Sequence, residues 1–209
     1  MGGNNPPVGI SPAQFERMKE RLRGTSRKAA PLLDSTVPVA RRAQGVILGV
    51  DPSLRGTGFG VLRVAGARLE ALAHGTISCP AGWERSRCLV RIAQTLRDVV
   101  RQFQPTVCVV EGLFFAQNLQ TAMIMGEARG AALAAVAESG LEIYEIAPRK
   151  VKQAVVGFGA AQKLAVAKMV QRLLNLAELP EPDAADALAL AITHAQTQVR
   201  PGWVGAKRL

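Results

Sequence analysis

The stretch from Val46 to Gly60 reads VILGVDPSLRGTGFG. Its opening run is apolar, rich in β-branched residues and too short for a helix, which predicts a buried strand ending on a carboxylate, Asp51. Pro52 follows at once, and Gly56, Gly58 and Gly60 permit a tight turn into a second strand through Val64. A third strand from Leu69 to Ile77 completes an antiparallel meander.

Downstream, the pattern alternates. An amphipathic helix spans roughly Glu84 to Phe103, and Pro105 precedes a short apolar strand, VCVV, ending at Glu111. A helix from Leu119 to Ala137 holds Gly126 and Gly130 among alanines, a face suited to close packing against a core helix or a second subunit. A strand at Leu141 to Ile146, a helix opening near Pro148, a Gly157/Gly159 turn and two further helices follow. The expected fold class is α/β with one domain, residues 46–195, since 209 residues leave little room for a second. Residues 1–45 are expected to be a flexible basic extension interrupted by Pro6, Pro7, Pro31 and Pro38, with one short helix capped by Ser11. Residues 196–209 are expected to form a basic tail.

Net charge is +10, but its placement is uneven. The extension contributes +5 and the C-terminal tail +3, so the body holds 15 basic against 13 acidic residues. That distribution suits a polyanionic partner whose acidic site is neutralised by bound cations, and equally suits a solvated body with basic tails. No run approaches the roughly 18 apolar residues of a membrane span, and no signal peptide is evident, so the expected location is cytoplasmic. Cys79, Cys88 and Cys108 lack zinc spacing and are expected to be reduced, buried thiols. His74 and His194 are expected to be structural.

Carboxylates at the ends of elements carry the chemistry. Asp51 and Glu111 each end an apolar strand, while Asp183 and Asp186 open the last helix. Each alone has an ordinary explanation: a turn cap, a strand-end surface residue, or acids complementing a helix dipole. Together they point to one place, because strand-terminal acids project from one sheet edge and residues spaced i, i+3 share a helix face. Four acids so gathered repel one another unless hard cations lie between them. Two adjacent aromatics, Phe114 and Phe115, follow Glu111, and strand alternation buries only one of such a pair easily.

Four segments in order resemble the motifs of RuvC-type Holliday junction resolvases. They are GVDPSLRGTGFG from Gly49, VEGLFFAQN from Val110, PRKVKQAVVG from Pro148 and DAADALALAITH from Asp183. The resemblance covers about residues 46–195. It implies an RNase H-like fold, a central five-stranded mixed sheet flanked by helices. It also implies a homodimeric crossover junction endodeoxyribonuclease that uses two Mg2+ ions, with Mn2+ able to substitute. Asp51, Glu111, Asp183 and Asp186 would be the catalytic and metal-binding acids, and the nicks would carry 5′-phosphate and 3′-hydroxyl ends. Phe114 would stack on a junction base, while Lys152 and Lys163 would approach the scissile strand; a plain solvated helix face is the other reading of both lysines. The partners implied are four-way junction DNA and the RuvA and RuvB branch-migration proteins. Two positions depart from the family pattern: Gly112 stands where a polar residue is common, and Gln117 where a basic one is.

Other classes give different expectations. An actin-like or sugar-kinase ATPase also places glycines after a strand-terminal Asp, but needs a second related domain. A non-catalytic junction-binding protein and an RNase H-like nuclease acting on structured RNA share most of the features above.

Overall fold

Side-chain alternation sets which side of the sheet each strand residue faces. In the computed structural model, which describes residues 44–112, 118–199 and 206–209, β1 (Gln44–Asp51) pairs antiparallel with β2 (Gly56–Ala65), and β2 pairs antiparallel with β3 (Arg68–Ser78). On its other side β1 runs parallel to β4 (Val107–Glu111), which runs parallel to β5 (Glu142–Ile146). The order across the sheet is β3-β2-β1-β4-β5-β6. This is the mixed sheet the sequence leads one to expect, and the meander falls where the apolar runs predicted it.

Helices cover both faces. Leu48, Val50, Val61, Cys108 and Val110 face α1 (Arg85–Phe103) and α2 (Leu119–Ala137). Ile47, Leu62, Val64, Val107 and Val109 face α3 (Pro148–Val156), α4 (Lys163–Leu174) and α5 (Pro182–Val199). α1 is a one-sided helix, burying Cys88, Ile92, Leu96, Val99 and Val100 at helical spacing and ending on Gln104 in the left-handed region. α2 opens on Asn118, whose side chain accepts the Thr121 N–H at 2.8 Å. α5 is buried nearly all round, since it lies between the sheet and the α3/α4 pair; from Ala184 to Ala195 only Asp186 is less than fully enclosed.

Close approach of α5 to the sheet depends on glycine. A Cβ on Gly49 would lie 1.9 Å from the Ala187 carbonyl oxygen, and one on Gly58 would lie 1.9 Å from that of Asp183. On Gly60 it would meet Leu188 at 2.7 Å. These glycines therefore serve a different purpose from the one expected. Gly56, Gly58 and Gly60 lie inside β2, and Pro52 to Arg55 make the turn. Buried Thr57 clasps that turn, donating its hydroxyl to the Ser53 carbonyl at 2.6 Å and accepting the Ser53 N–H at 3.2 Å.

Further differences from expectation have simple causes. Among the described residues the sheet has six strands, because β6 (Lys207–Arg208) adds antiparallel to β5 within the stretch expected to be a basic tail. Two charged residues carry no periodic signal, so sequence reading misses such a strand. α5 also continues to Val199, past residue 195. Gly126 and Gly130 meet no neighbour within 4 Å where a Cβ would stand, so they are not used for close helix packing among the described residues. α2 instead packs inward through Ala128, Ala132, Ala135 and Val136. All three cysteines are buried and free, as expected. Residues 1–43, including the expected Ser11 helix, lie outside the described residues.

Gly58→Ala should cost about 3 kcal/mol, near the upper end for overpacking, because backbone rather than a flexible side chain blocks the methyl. Gly82→Ala, where nothing lies within 4 Å, is the control and should denature in urea with an unchanged midpoint. Equal midpoints for the two variants would refute the account of how α5 is seated.

Candidate active site

Asp51 and Glu111 end neighbouring parallel strands, and both fall on the α5 face by alternation from Gly49 and Val109. The glycine seat then brings the N-terminus of α5 down beside them. One carboxylate oxygen each from Asp51, Asp183 and Asp186 lie within 4.8 Å of one another. Glu111 joins through a side-chain hydrogen bond with Asp51. A Cβ on Gly56 would sit 2.8 Å from an Asp183 oxygen, so that carboxylate abuts bare backbone. Asp51, Glu111 and Asp183, with Pro52, Ser53, Gly112, Pro148 and Lys163, line a cleft of about 250 Å³.

Crowding shows in the proton affinities. Burial, then repulsion from Asp186, pushes the Asp51 carboxyl up to about 6. Burial, then the neighbouring Asp51 charge, pushes Glu111 up to about 8. The pair holds a proton near neutral pH that isolated carboxyls release. Burial also raises Asp186, against the pull of Lys163. The Lys163 ammonium lies 3.3 Å from Asp183 and 3.1 Å from Asp186. Burial alone would lower its proton affinity, but the two aspartates outweigh that and raise it. An all-oxygen donor set short of positive charge fits a hard divalent cation, and Lys163 supplies one positive charge where such a site would take two or more.

The structure thus gathers all four expected acids with Lys163. Lys152, on α3, adds a coulombic pull on Asp186. Phe114, Phe115 and Gln117 lie outside the described residues. Gly112 has a local reason: a Cβ there would be 3.3 Å from the Glu145 side chain. His194 is buried against Tyr144, its ring centroid 4.9 Å away, and plays no part in the cleft lining. Arg129 is the residue sequence reading missed. Its guanidinium is buried, and it donates to the Glu111 carbonyl and to the Glu145 carboxylate. The available signal was one charge embedded in an otherwise Ala- and Gly-rich helix face.

A family model described as crossover junction endodeoxyribonuclease RuvC matches residues 47–194. The chain belongs to the RuvC family. It is 45% identical to the RuvC of Rubrobacter xylanophilus over 151 residues, which is 72% of this chain and 84% of that one. RuvC of Heliobacterium modesticaldum is 46% identical, over 73% of this chain and 94% of its own length. Among solved structures, Thermus thermophilus RuvC in complex with Holliday junction substrate superposes with a TM-score of 0.71 at 36% identity, covering 79% of this chain and 99% of that one. The yeast mitochondrial Holliday junction resolvase, at 12% identity and a TM-score of 0.54, shares the fold. The fold is accordingly RNase H-like, and the RuvC match carries all four acids within its bounds.

The shared proton makes a pH prediction for this RuvC chain. Asp51 and Glu111 keep protons when folded that they lose when unfolded, so folding binds protons between the ordinary carboxyl range near pH 4 and about pH 8. Without divalent cations, Tm should therefore fall as pH rises through that window, and Asp51→Asn should flatten the fall. Mg2+ should raise Tm more at pH 8 than at pH 5, since the cation replaces protons that are already gone at the higher pH. A cation-free Tm that rises steadily from pH 5 to 8 would contradict the shared-proton cluster.

Proposed function

We propose that this chain resolves four-way DNA junctions by paired symmetric nicks, hydrolysing phosphodiester bonds to leave 5′-phosphate and 3′-hydroxyl ends in DNA recombination and repair. The observation that carries the mechanism is the gathering of Asp51, Glu111, Asp183 and Asp186 in one cluster, three of whose members line the cleft. Membership of the RuvC family supports the substrate, as does the junction DNA named with the Thermus thermophilus relative.

Two Mg2+ ions, or Mn2+ in their place, supply an activated water and stabilise the departing oxygen when bound. The chain's part is to hold and aim. Asp51 contributes carboxylate oxygens from the middle of the cluster, hydrogen-bonded to Glu111 on one side and close to Asp183 and Asp186 on the other. Asp183 stands in the first turn of α5, which sets it beside Asp51. Lys163 pairs with both α5 aspartates, and a cation bound there would leave its ammonium available to the scissile phosphate. Lys152 adds positive charge beside the same strand. Phe114, by family resemblance, stacks on a junction base.

Two like-oriented cuts call for two sites related by a two-fold axis, hence a homodimer. The outer face of α2 supports this reading. Leu119 and Met123 are 77% and 57% exposed, and Gly126 and Gly130 offer open space in line with them. Collaboration with RuvA and RuvB follows from the resemblance. No helix among the described residues is long and apolar enough to cross a membrane, in keeping with a cytoplasmic setting.

The test is a labelled synthetic four-way junction incubated in Mg2+ beside duplex DNA and structured RNA. Paired nicks confined to the junction are expected; cutting of the RNA alone, or junction binding without cuts, would replace this reading. Asp51→Asn should cut at less than about a tenth of the wild-type rate while still binding the junction, because it removes a ligand charge and keeps the shape. Asp186→Asn should match it. Met123→Glu should shift the protein from dimer to monomer in sedimentation, and a dimer that persists unchanged would place the interface elsewhere.

A further inference from the structure

From Ala147 to Ala177 the chain carries six Lys or Arg residues and no Asp or Glu. This segment comprises α3, the turn that follows it, and α4. Val151, Val155, Val166, Val170 and Leu174 turn into the core, which leaves the cations on the outer side. Arg149, Lys150 and Lys168 are exposed. Among them stands Phe158, 64% exposed, whereas the other described aromatic side chains, Phe59, Trp83, Phe103 and Tyr144, are half-buried. A phenyl ring set among cations suits a partner that offers both negative charge and a flat π-face.

The backbone under that ring is fixed. Gly157 ends α3 at φ +85°, a conformation that favours glycine, and its N–H donates to the Gln153 carbonyl at 2.9 Å. The Ala161 N–H donates back to the Phe158 carbonyl at 3.1 Å. A Cβ on Gly159 would meet the Arg149 carbonyl oxygen at 3.2 Å, so the turn lies against the first residues of α3. Pro148, beside Arg149, lines the acidic cleft, and so does Lys163, five residues beyond Phe158. In sequence, the turn that carries the ring lies between two residues of the cleft wall.

We propose that Phe158 is a substrate-contacting residue whose ring stacks on an unstacked base of the scissile strand beside the cut phosphate, within the field of Arg149, Lys150, Lys163 and Lys168. Single-stranded nucleic acid has the matching chemistry, a phosphate chain for the cations and a π-face for the ring. An acidic protein surface would answer the charge but not the aromatic. In intact duplex the base faces are covered, so the contact forms only where strands part. Phe158 thereby contributes to discrimination between junction and duplex, a role that rests on the nuclease reading above and adds to it.

The test compares Asp51→Asn with the double variant Asp51→Asn/Phe158→Ala, which bind without cutting, on a four-way junction and on duplex across a salt series. Junction affinity should fall roughly five- to hundredfold, the change equivalent to about 1–3 kcal/mol of base stacking. Duplex affinity should hold, and the slope of log affinity against log salt should stay the same, since no phosphate contact is lost. Phe158→Tyr should restore binding. Phe158→Trp should show emission quenched by junction and not by duplex, read as a difference from the parent with Trp83 and Trp203 in place. If Phe158→Ala binds the junction as tightly as its parent, the ring serves another partner and the proposal is wrong. Equal losses on junction and duplex, or no recovery with Phe158→Tyr, would also overturn it. A parent protein that does not bind the junction at all would instead refute the proposed function.

Discussion

The backbone of α5 touches the backbone of the sheet, and the site exists because of that contact. Helices normally stand off a sheet by the length of their side chains. Here Gly49, Gly58 and Gly60 remove those spacers, and the alanines of α5 keep its own surface low. The helix N-terminus can then descend to the level of Asp51 and Glu111. Bringing four acids together is unfavourable by itself, as the raised proton affinities of Asp51, Glu111 and Asp186 record. The cost is met by burial of nearly the whole helix, whose Leu188, Leu190 and Ile192 are each enclosed to within 1% of their surface. Core packing holds the charges where their repulsion would separate them.

Two arginine and lysine contacts manage that repulsion in different ways. Lys163 meets the α5 aspartates directly, with its side chain 58% exposed at the mouth of the cleft. Arg129 never meets a carboxylate of the cluster; it grips the main chain of Glu111 from beneath and anchors to Glu145. Buried charge is costly unless its donors are used, and here they bind two acceptors on adjacent parallel strands. An exposed cation thus faces the cleft, and a buried one supports its floor.

The strands and helices were legible because their apolar residues repeat at the period of the element they form. β1, β4 and α1 needed nothing else, and the Leu119–Ala137 helix has the bounds the sequence suggests. The four acids were legible as ends of elements, and strand alternation explains why Asp51 and Glu111 share a face. What stayed hidden depends on partners distant in sequence. Gly58 looks like a turn glycine until α5 is laid over it, Arg129 looks like a surface charge until Glu145 is placed beside it, and β6 has no pattern to read. Phe158 was missed for the opposite reason, since one aromatic in a glycine-flanked turn gives no periodicity at all.

The short β6 strand has a consequence for the molecule in a crowded solution. β5 would otherwise end the sheet with a row of open N–H and C=O groups, a template on which another chain can add. Lys207 and Arg208 occupy that row in register with Glu145 and Tyr144, and the Leu209 N–H extends the pairing to the Ile143 carbonyl at 3.0 Å. Arg208 is pinned by Glu142 at 2.7 Å. The new edge is two residues long and doubly positive, so a second molecule approaching with the same edge meets like charge and almost no strand to pair with. Lys207, Arg208 and Leu209 thereby guard this edge against edge-to-edge aggregation.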